Sequence, residues 1–143
     1  MKNINGNFLR ILQWNVRGIN DIDKFDNIVL FLNQCNVPID VVIIGETWLK
    51  HEYCSLYNID GYDSVFSCRA IFAGGLAVFI KKTTRYRIID NQNLNGFHFI
   101  QLELNLNNHL FDVFSVYRPP SFDFYRLYEI LENKLISSKQ DHR

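Results

Sequence analysis

Along residues 8–15, Leu9 and Ile11 interleave with Arg10 and Leu12 ahead of Trp14, and the segment reads as a strand. Arg17-Gly18-Ile19-Asn20 breaks the run, with Gly18 permitting a tight turn. Asp21 or Asp23 can then cap a helix in which Phe25, Ile28, Val29 and Leu32 recur at helical spacing. Pro38 ends that region. The run Val41-Val42-Ile43-Ile44 follows, β-branched and without polar alternation, as in a strand buried on both faces. Strand, helix and buried strand make a βαβ unit, so the first two strands are predicted to be parallel.

Beyond Trp48 the pattern predicts strands over residues 62–67, 76–81, 86–89, 97–105 and 110–117 with short connections. Asn107-Asn108 marks a hairpin, because Asn tolerates left-handed backbone angles. Pro119-Pro120 closes the last strand. Ser121 or Asp123 can cap a final helix carrying Phe124, Leu127, Leu131 and Leu135 on one stripe. No repeat, low-complexity tract or linker interrupts the chain. The fold class is α/β, a mixed β-sheet with flanking helices covering one face, in a single domain over residues 1–143.

At 143 residues the chain can enclose one real core, and 48% hydrophobic against 21% charged residues is a globular composition. The formal net charge of zero argues against a protein that coats nucleic acid, which usually carries a basic excess. It leaves room for a nuclease with a local basic groove and acidic metal ligands. Cys35, Cys54 and Cys68 lack paired spacing, which favours reduced thiols in an intracellular compartment over a disulfide framework or a zinc site. The polar start Met1-Lys2-Asn3 shows no secretory apolar region, and no apolar run approaches a membrane span.

Three polar residues stand at predicted strand ends: Asn15, Glu46 after Gly45, and Tyr117. Ligands gather beyond the carboxyl ends of parallel strands, so Asn15 and Glu46 can converge. Each residue also has a plainer reading. Glu46 could be a solvated loop residue, Asn15 a turn residue, and Tyr117 a packed aromatic.

Taken together the motifs are more specific. Leu12-Gln13-Trp14-Asn15-Val16-Arg17-Gly18 resembles the opening motif of the endonuclease/exonuclease/phosphatase superfamily. Asp40 through Gly45-Glu46-Thr47-Trp48-Leu49 is similar to its second motif. Ser67-Cys68-Arg69 followed by Gly74-Gly75-Leu76-Ala77-Val78 resembles a stretch of the endonucleases carried by non-LTR retrotransposons. Val116-Tyr117-Arg118-Pro119-Pro120 resembles their tyrosine-bearing strand. The resemblance covers nearly the whole chain as the N-terminal portion of such an apurinic-endonuclease-like domain. It implies an incomplete four-layer α/β sandwich of the DNase I-like type.

The resemblance also implies roles. Glu46 would hold Mg²⁺ (or Mn²⁺), an ion that takes oxygen ligands and needs few protein carboxylates. Asn15 would hydrogen-bond within the metal and phosphate site and is a second candidate for metal contact. Tyr117 would donate to a non-bridging phosphate oxygen. Arg118 and Arg69 are further candidates for substrate contacts; Arg118 reads equally as a surface residue on the turn, and for Arg69 a solvated loop is the better reading.

Members of the superfamily continue into an Asp-x-Asn motif and a later Asp-His pair. Neither is present here, and Asp141-His142 follows the last helix directly and reads as a tail. His51, His98 and His109 lack ligand spacing, and His98, in a strand, reads as a satisfied structural imidazole.

The implied function is Mg²⁺-dependent hydrolysis of DNA phosphodiesters, weak or absent in this chain. The alternatives are another phosphoesterase of the same superfamily and a non-catalytic remnant that acts by binding. The expected partner is DNA once the domain is completed, which would require nuclear access; no membrane contact is expected. A sheet with one uncovered apolar face is also expected, and with it self-association.

Overall fold

The computed structural model describes residues 8–19, 22–69 and 73–141. The Asn20 turn position, the Asp21 cap and the His142 tail fall outside them. Strand β1 (Ile11–Asn15) pairs in parallel with β2 (Val41–Gly45), from Ile11 opposite Val41 to Asn15 opposite Gly45. Helix α1 (Ile22–Gln34) makes the crossover, with Asp23 in its first turn. The register is pinned at its start by Asp40. Its carboxylate accepts the Arg10 amide at 2.8 Å, while its own amide donates to the Arg10 carbonyl at 2.9 Å.

On its other side β2 pairs antiparallel with β4 (Leu76–Lys81), which pairs antiparallel with β3 (Tyr62–Ser67). The first sheet therefore has the order β1-β2-β4-β3. A 3-10 turn at His51–Leu56 lies between β2 and β3.

A second sheet follows, the antiparallel meander β5 (Arg85–Leu94), β6 (Phe97–Leu106) and β7 (His109–Tyr117). Its two hairpins turn on residues with both φ angles positive: Asn95 and Gly96 at 51° and 86°, and Asn107 and Asn108 at 52° and 65°. Such turns match the right-handed twist of the flanking strands. Asn107-Asn108 is legible in the sequence; Asn95-Gly96 is a second signal of the same kind that the periodicity reading passes over.

Two facing sheets explain the burial. Strand β2 is buried at every position, because alternate residues serve different cores. Val42 and Ile44 join Ala77, Phe79, Phe25 and Ile28 under α1. Val41 and Ile43 join Val65, Leu76, Val78 and Ile80 against Ile100, Leu102, Leu104 and Val113 of the second sheet. The outer face of the second sheet carries Phe97, Phe99, Phe114 and Val116 against helix α2 (Phe124–Asp141). The order of layers is helix, sheet, sheet, helix, the four-layer α/β arrangement. Among the described residues no helix is long and apolar enough to cross a membrane.

Three expectations need correcting. The inner face of the first sheet is not left uncovered: the strands predicted to extend one mixed sheet instead form a second, which closes over β2, β4 and β3. Only β1 lies beyond that cover, with Ile11 45% exposed. Strand β5 is longer than residues 86–89. A bulge between Ile88 and Asp90 shifts the register and carries the polar run to Leu94 into the sheet, hiding its period-two pattern. The stripe on α2 is also shifted. Leu127, Ile130 and Leu131 pack, whereas Phe124 and Leu135 are exposed, because Phe122 ahead of the helix stacks on Phe97 at 4.8 Å. Asp123 does cap the helix, accepting the Tyr125 amide at 3.2 Å.

Leu102→Ala should cost about 2–5 kcal/mol in urea unfolding, since its side chain is wedged between the sheets. Leu135→Ala should change stability by less than about 0.5 kcal/mol. Equal costs would contradict this assignment of the helix face.

Candidate active site

The parallel β1–β2 ladder does not stop where the strands stop. Val16 donates to the Gly45 carbonyl at 3.0 Å, Gly18 to Glu46 at 2.6 Å, and Ile19 to Thr47 at 3.0 Å. On the other side Thr47 donates to Gly75 at 3.4 Å and Trp48 to Gly74 at 2.9 Å. The Glu46 loop is thus held between two backbone segments. Inside that clamp Glu46 has φ 54°, Trp48 φ 57° and Arg17, facing them, φ 49°. Left-handed angles at non-glycine residues are disfavoured and persist only where the surroundings enforce them. Lys24 of α1 donates to the carbonyls of Val16 and Arg17, both at 3.2 Å, tying the first loop to its helix.

The Gly-Gly pair has a steric reason. A Cβ on Gly75 would stand 2.4 Å from the Thr47 hydroxyl oxygen, at φ 98°. One on Gly74 would stand 3.0 Å from both the His98 and Tyr117 rings. Only glycine lets this segment approach Thr47 on one side and the two rings on the other.

The result brings three of the sequence-derived candidates together. The Asn15 amide nitrogen donates to Glu46 Oε1 at 2.9 Å. The Tyr117 phenol is pushed above its ordinary pKa by burial and, secondarily, by the Glu46 charge, and its ring lies against Gly74, which accepts from Trp48 of the Glu46 loop. Tyr117 accordingly stays protonated at neutral pH and available as a hydrogen-bond donor. The Asn15 amide oxygen and the second Glu46 oxygen take no part in that bond and are the oxygen donors the pair has left. Such a set fits a hard divalent ion that keeps most of its waters. Among the described residues no group of three or more His, Cys, Asp and Glu side chains could hold a metal ion.

Arg118 is exposed, and its Nη1 donates to the Phe122 carbonyl at 2.8 Å, bracing the turn into α2. Arg69 follows β3 and lines a cavity with Trp48, Lys50 and Tyr53. The three cysteines are free thiols. Cys54, the buried one, is pushed up to about 12, first by burial and then by the neighbouring Cys68.

His98 is the residue whose place the sequence reading undervalued. It pairs across the sheet with Tyr117, is fully buried, and its Nδ1 lies 2.8 Å from the Ser67 hydroxyl. Its Nε2 has no hydrogen-bond partner among the described residues. The imidazole is therefore half satisfied and sits directly behind Tyr117, ring centroids 6.0 Å apart. Register is the signal that could have found it: once β6 and β7 form a hairpin about Asn107-Asn108, His98 falls opposite Tyr117. Burial lowers its pKa to about 4.

No protein-family model matches the chain, and no curated protein does. Solved structures do. Truncated Caenorhabditis elegans TDP2 is similar over 92% of this chain and 54% of its own, with TM-score 0.59 and 13% identity. An AP endonuclease from Archaeoglobus fulgidus matches over 82% and 44%, with TM-score 0.53 and 18% identity. A Neisseria 3′ phosphatase, NExo, bound to product DNA hairpin, matches over 77% and 41%, with TM-score 0.50 and 17% identity. The shared feature is the DNase I-like fold. The chain spans about half the length of these structures.

The depressed His98 pKa has a definite sign for stability. The unfolded chain takes up this proton first as pH falls, so the native state has its full advantage above pH ~6.5 and loses it towards pH ~4. The loss should be about 3 kcal/mol, read by urea unfolding across that range. His98→Leu should remove this component. An unchanged profile in the variant would show that the imidazole is not held neutral.

Proposed function

We propose that this chain carries the metal- and phosphate-binding part of a Mg²⁺-dependent DNA endonuclease site, of the kind found in retroelement endonucleases. The observation that carries the reading is the convergence of an amide, a carboxylate and a phenol at one end of the two sheets: Asn15 on Glu46 at 2.9 Å, with Tyr117 in the field of that carboxylate. DNA as the substrate class draws further support from the names of an AP endonuclease and of a 3′ phosphatase bound to product DNA among the structures of like fold.

Glu46 and the Asn15 amide oxygen are the groups that would hold the ion. When bound, the ion supplies positive charge against the phosphate and the leaving oxygen. Asn15 fixes the carboxylate by donating to one of its oxygens, and the other would remain to hold the ion. Tyr117 keeps its proton and presents it to a non-bridging phosphate oxygen, where a fixed donor gains value as negative charge develops. Gly74 and Gly75 hold the Glu46 loop and the Tyr117 ring at close range. The roles of Asn15, Glu46 and Tyr117 leave the proton of the attacking water without an assigned acceptor. General acid–base help is typically worth ~10²–10⁴-fold, so this chain alone should cleave poorly. The same geometry would suit another phosphoesterase of this fold, since fold does not fix substrate.

Two measurements test the reading. Mn²⁺ added to isotope-labelled protein should broaden the amide signals of Val16, Glu46 and Thr47 first, and Glu46→Gln should abolish that selectivity. Broadening centred on a different acidic residue would refute the site. With supercoiled plasmid and Mg²⁺, nicking should be slow or absent, and any metal-dependent nicking should vanish in Glu46→Ala.

A further inference from the structure

We propose that the cavity beside the Glu46 loop is a nucleotide subsite that takes one unpaired nucleotide of a DNA strand engaged at Glu46. The proposal deepens the nuclease reading and rests on it for the identity of the strand. The cavity encloses about 360 Å³ and is lined by Trp48, Leu49, Lys50, Tyr53, Tyr57 and Arg69. Ligand pockets run from roughly 300 Å³ upward, and a space at the low end suits a single nucleotide better than a duplex segment.

The chemistry of the lining is specific. Three of the six residues are aromatic, two are cationic and none is acidic, in a chain whose net charge is zero. Aromatic faces accept a nucleobase of any identity by stacking, and the exposed Lys50 beside them meets the negative phosphate. A base inside a duplex has its faces covered by its neighbours, so aromatic walls in a cavity select for a base that has left the stack.

The walls are fixed by the backbone. Arg69 donates to the Leu49 carbonyl at 3.1 Å, joining the end of β3 to the loop after β2. Trp48 donates to Gly74 at 2.9 Å, and Tyr53 to Lys50 at 3.0 Å. The clamp that forces Glu46 and Trp48 into left-handed angles therefore also shapes this cavity. Trp48 follows Glu46 by two residues, so the subsite and the carboxylate are set by one segment. The Trp48 indole N–H is shielded from water and has no hydrogen-bond partner among the described residues.

The test uses the whole chain with Trp14→Phe, which leaves Trp48 as the sole tryptophan reporter. Its fluorescence is titrated in EDTA with a short single-stranded DNA, the matching duplex, deoxyadenosine monophosphate and inorganic phosphate. Single-stranded DNA should quench Trp48 saturably and more tightly than duplex. The mononucleotide should do so weakly, and phosphate not at all. Tyr53→Ala and Lys50→Ala should each weaken single-strand binding about tenfold. Both side chains are exposed, and circular dichroism should show the fold retained. Equal affinity for duplex and single strand, quenching by phosphate alone, or indifference to Tyr53→Ala would overturn the subsite. None of these outcomes touches Mn²⁺ binding at Glu46, and loss of that binding with quenching intact would remove the nuclease reading instead.

Discussion

Backbone hydrogen bonding that runs on past the ends of β1 and β2 is the constraint on which the rest depends. Strands normally hand over to loops whose amides turn to water. Here Val16, Gly18 and Ile19 keep donating to Gly45, Glu46 and Thr47, while Thr47 and Trp48 donate onward to the two glycines. A loop with amides bonded on both sides cannot relax, and that is why Glu46 can be kept in a backbone conformation that a glutamate does not choose. The energy for this comes from elsewhere in the fold. Val41 to Ile44 are buried in two separate cores, one under α1 and one between the sheets, and they anchor the strand that carries the loop.

The same constraint ties features that the sequence separates widely. Gly74 and Gly75 stand between the Glu46 loop on one side and the His98 and Tyr117 rings on the other. The first sheet thus supplies the amide and the carboxylate, the second sheet supplies the phenol, and a glycine pair sets the gap between them. His98 fills the space behind the phenol with a neutral ring. Ser67 is bonded to that ring and also stands at the end of β3, so the two sheets meet there through a polar contact, alongside those that Asn91 and Asn93 of β5 make to the Phe66 and Cys68 carbonyls.

Much of this was legible in the chain, and the reasons are specific. Val41 to Ile44 reads as a strand buried on both faces, and a strand, helix and strand in that order favours the parallel pair that sends Asn15 and Glu46 to one end. Tyr117 was legible by motif and not by pattern, because nothing local says which sheet its strand joins. Period-two alternation gives each strand's two faces but not its neighbours, so one mixed sheet and two facing sheets read alike. The bulge at Ile89 defeated the period in β5, and Phe122 took the buried place that helical spacing assigned to Phe124. His98 was invisible as a partner of Tyr117 until the β6–β7 register was known.

The cover supplied by the second sheet stops short of β1, where Ile11, Gln13 and Asn15 are all exposed. This leaves the flank of the Asn15–Glu46 pair open to bulk solvent along its whole length. Charges there feel a high dielectric and are screened by salt over roughly 10 Å at 0.1 M ionic strength. An anion approaching from that side keeps most of its hydration, so the rim discriminates poorly between a polymer phosphate and a free one. Selectivity at such a rim has to come from a substrate long enough to bring its own low-dielectric surface and displace the water itself.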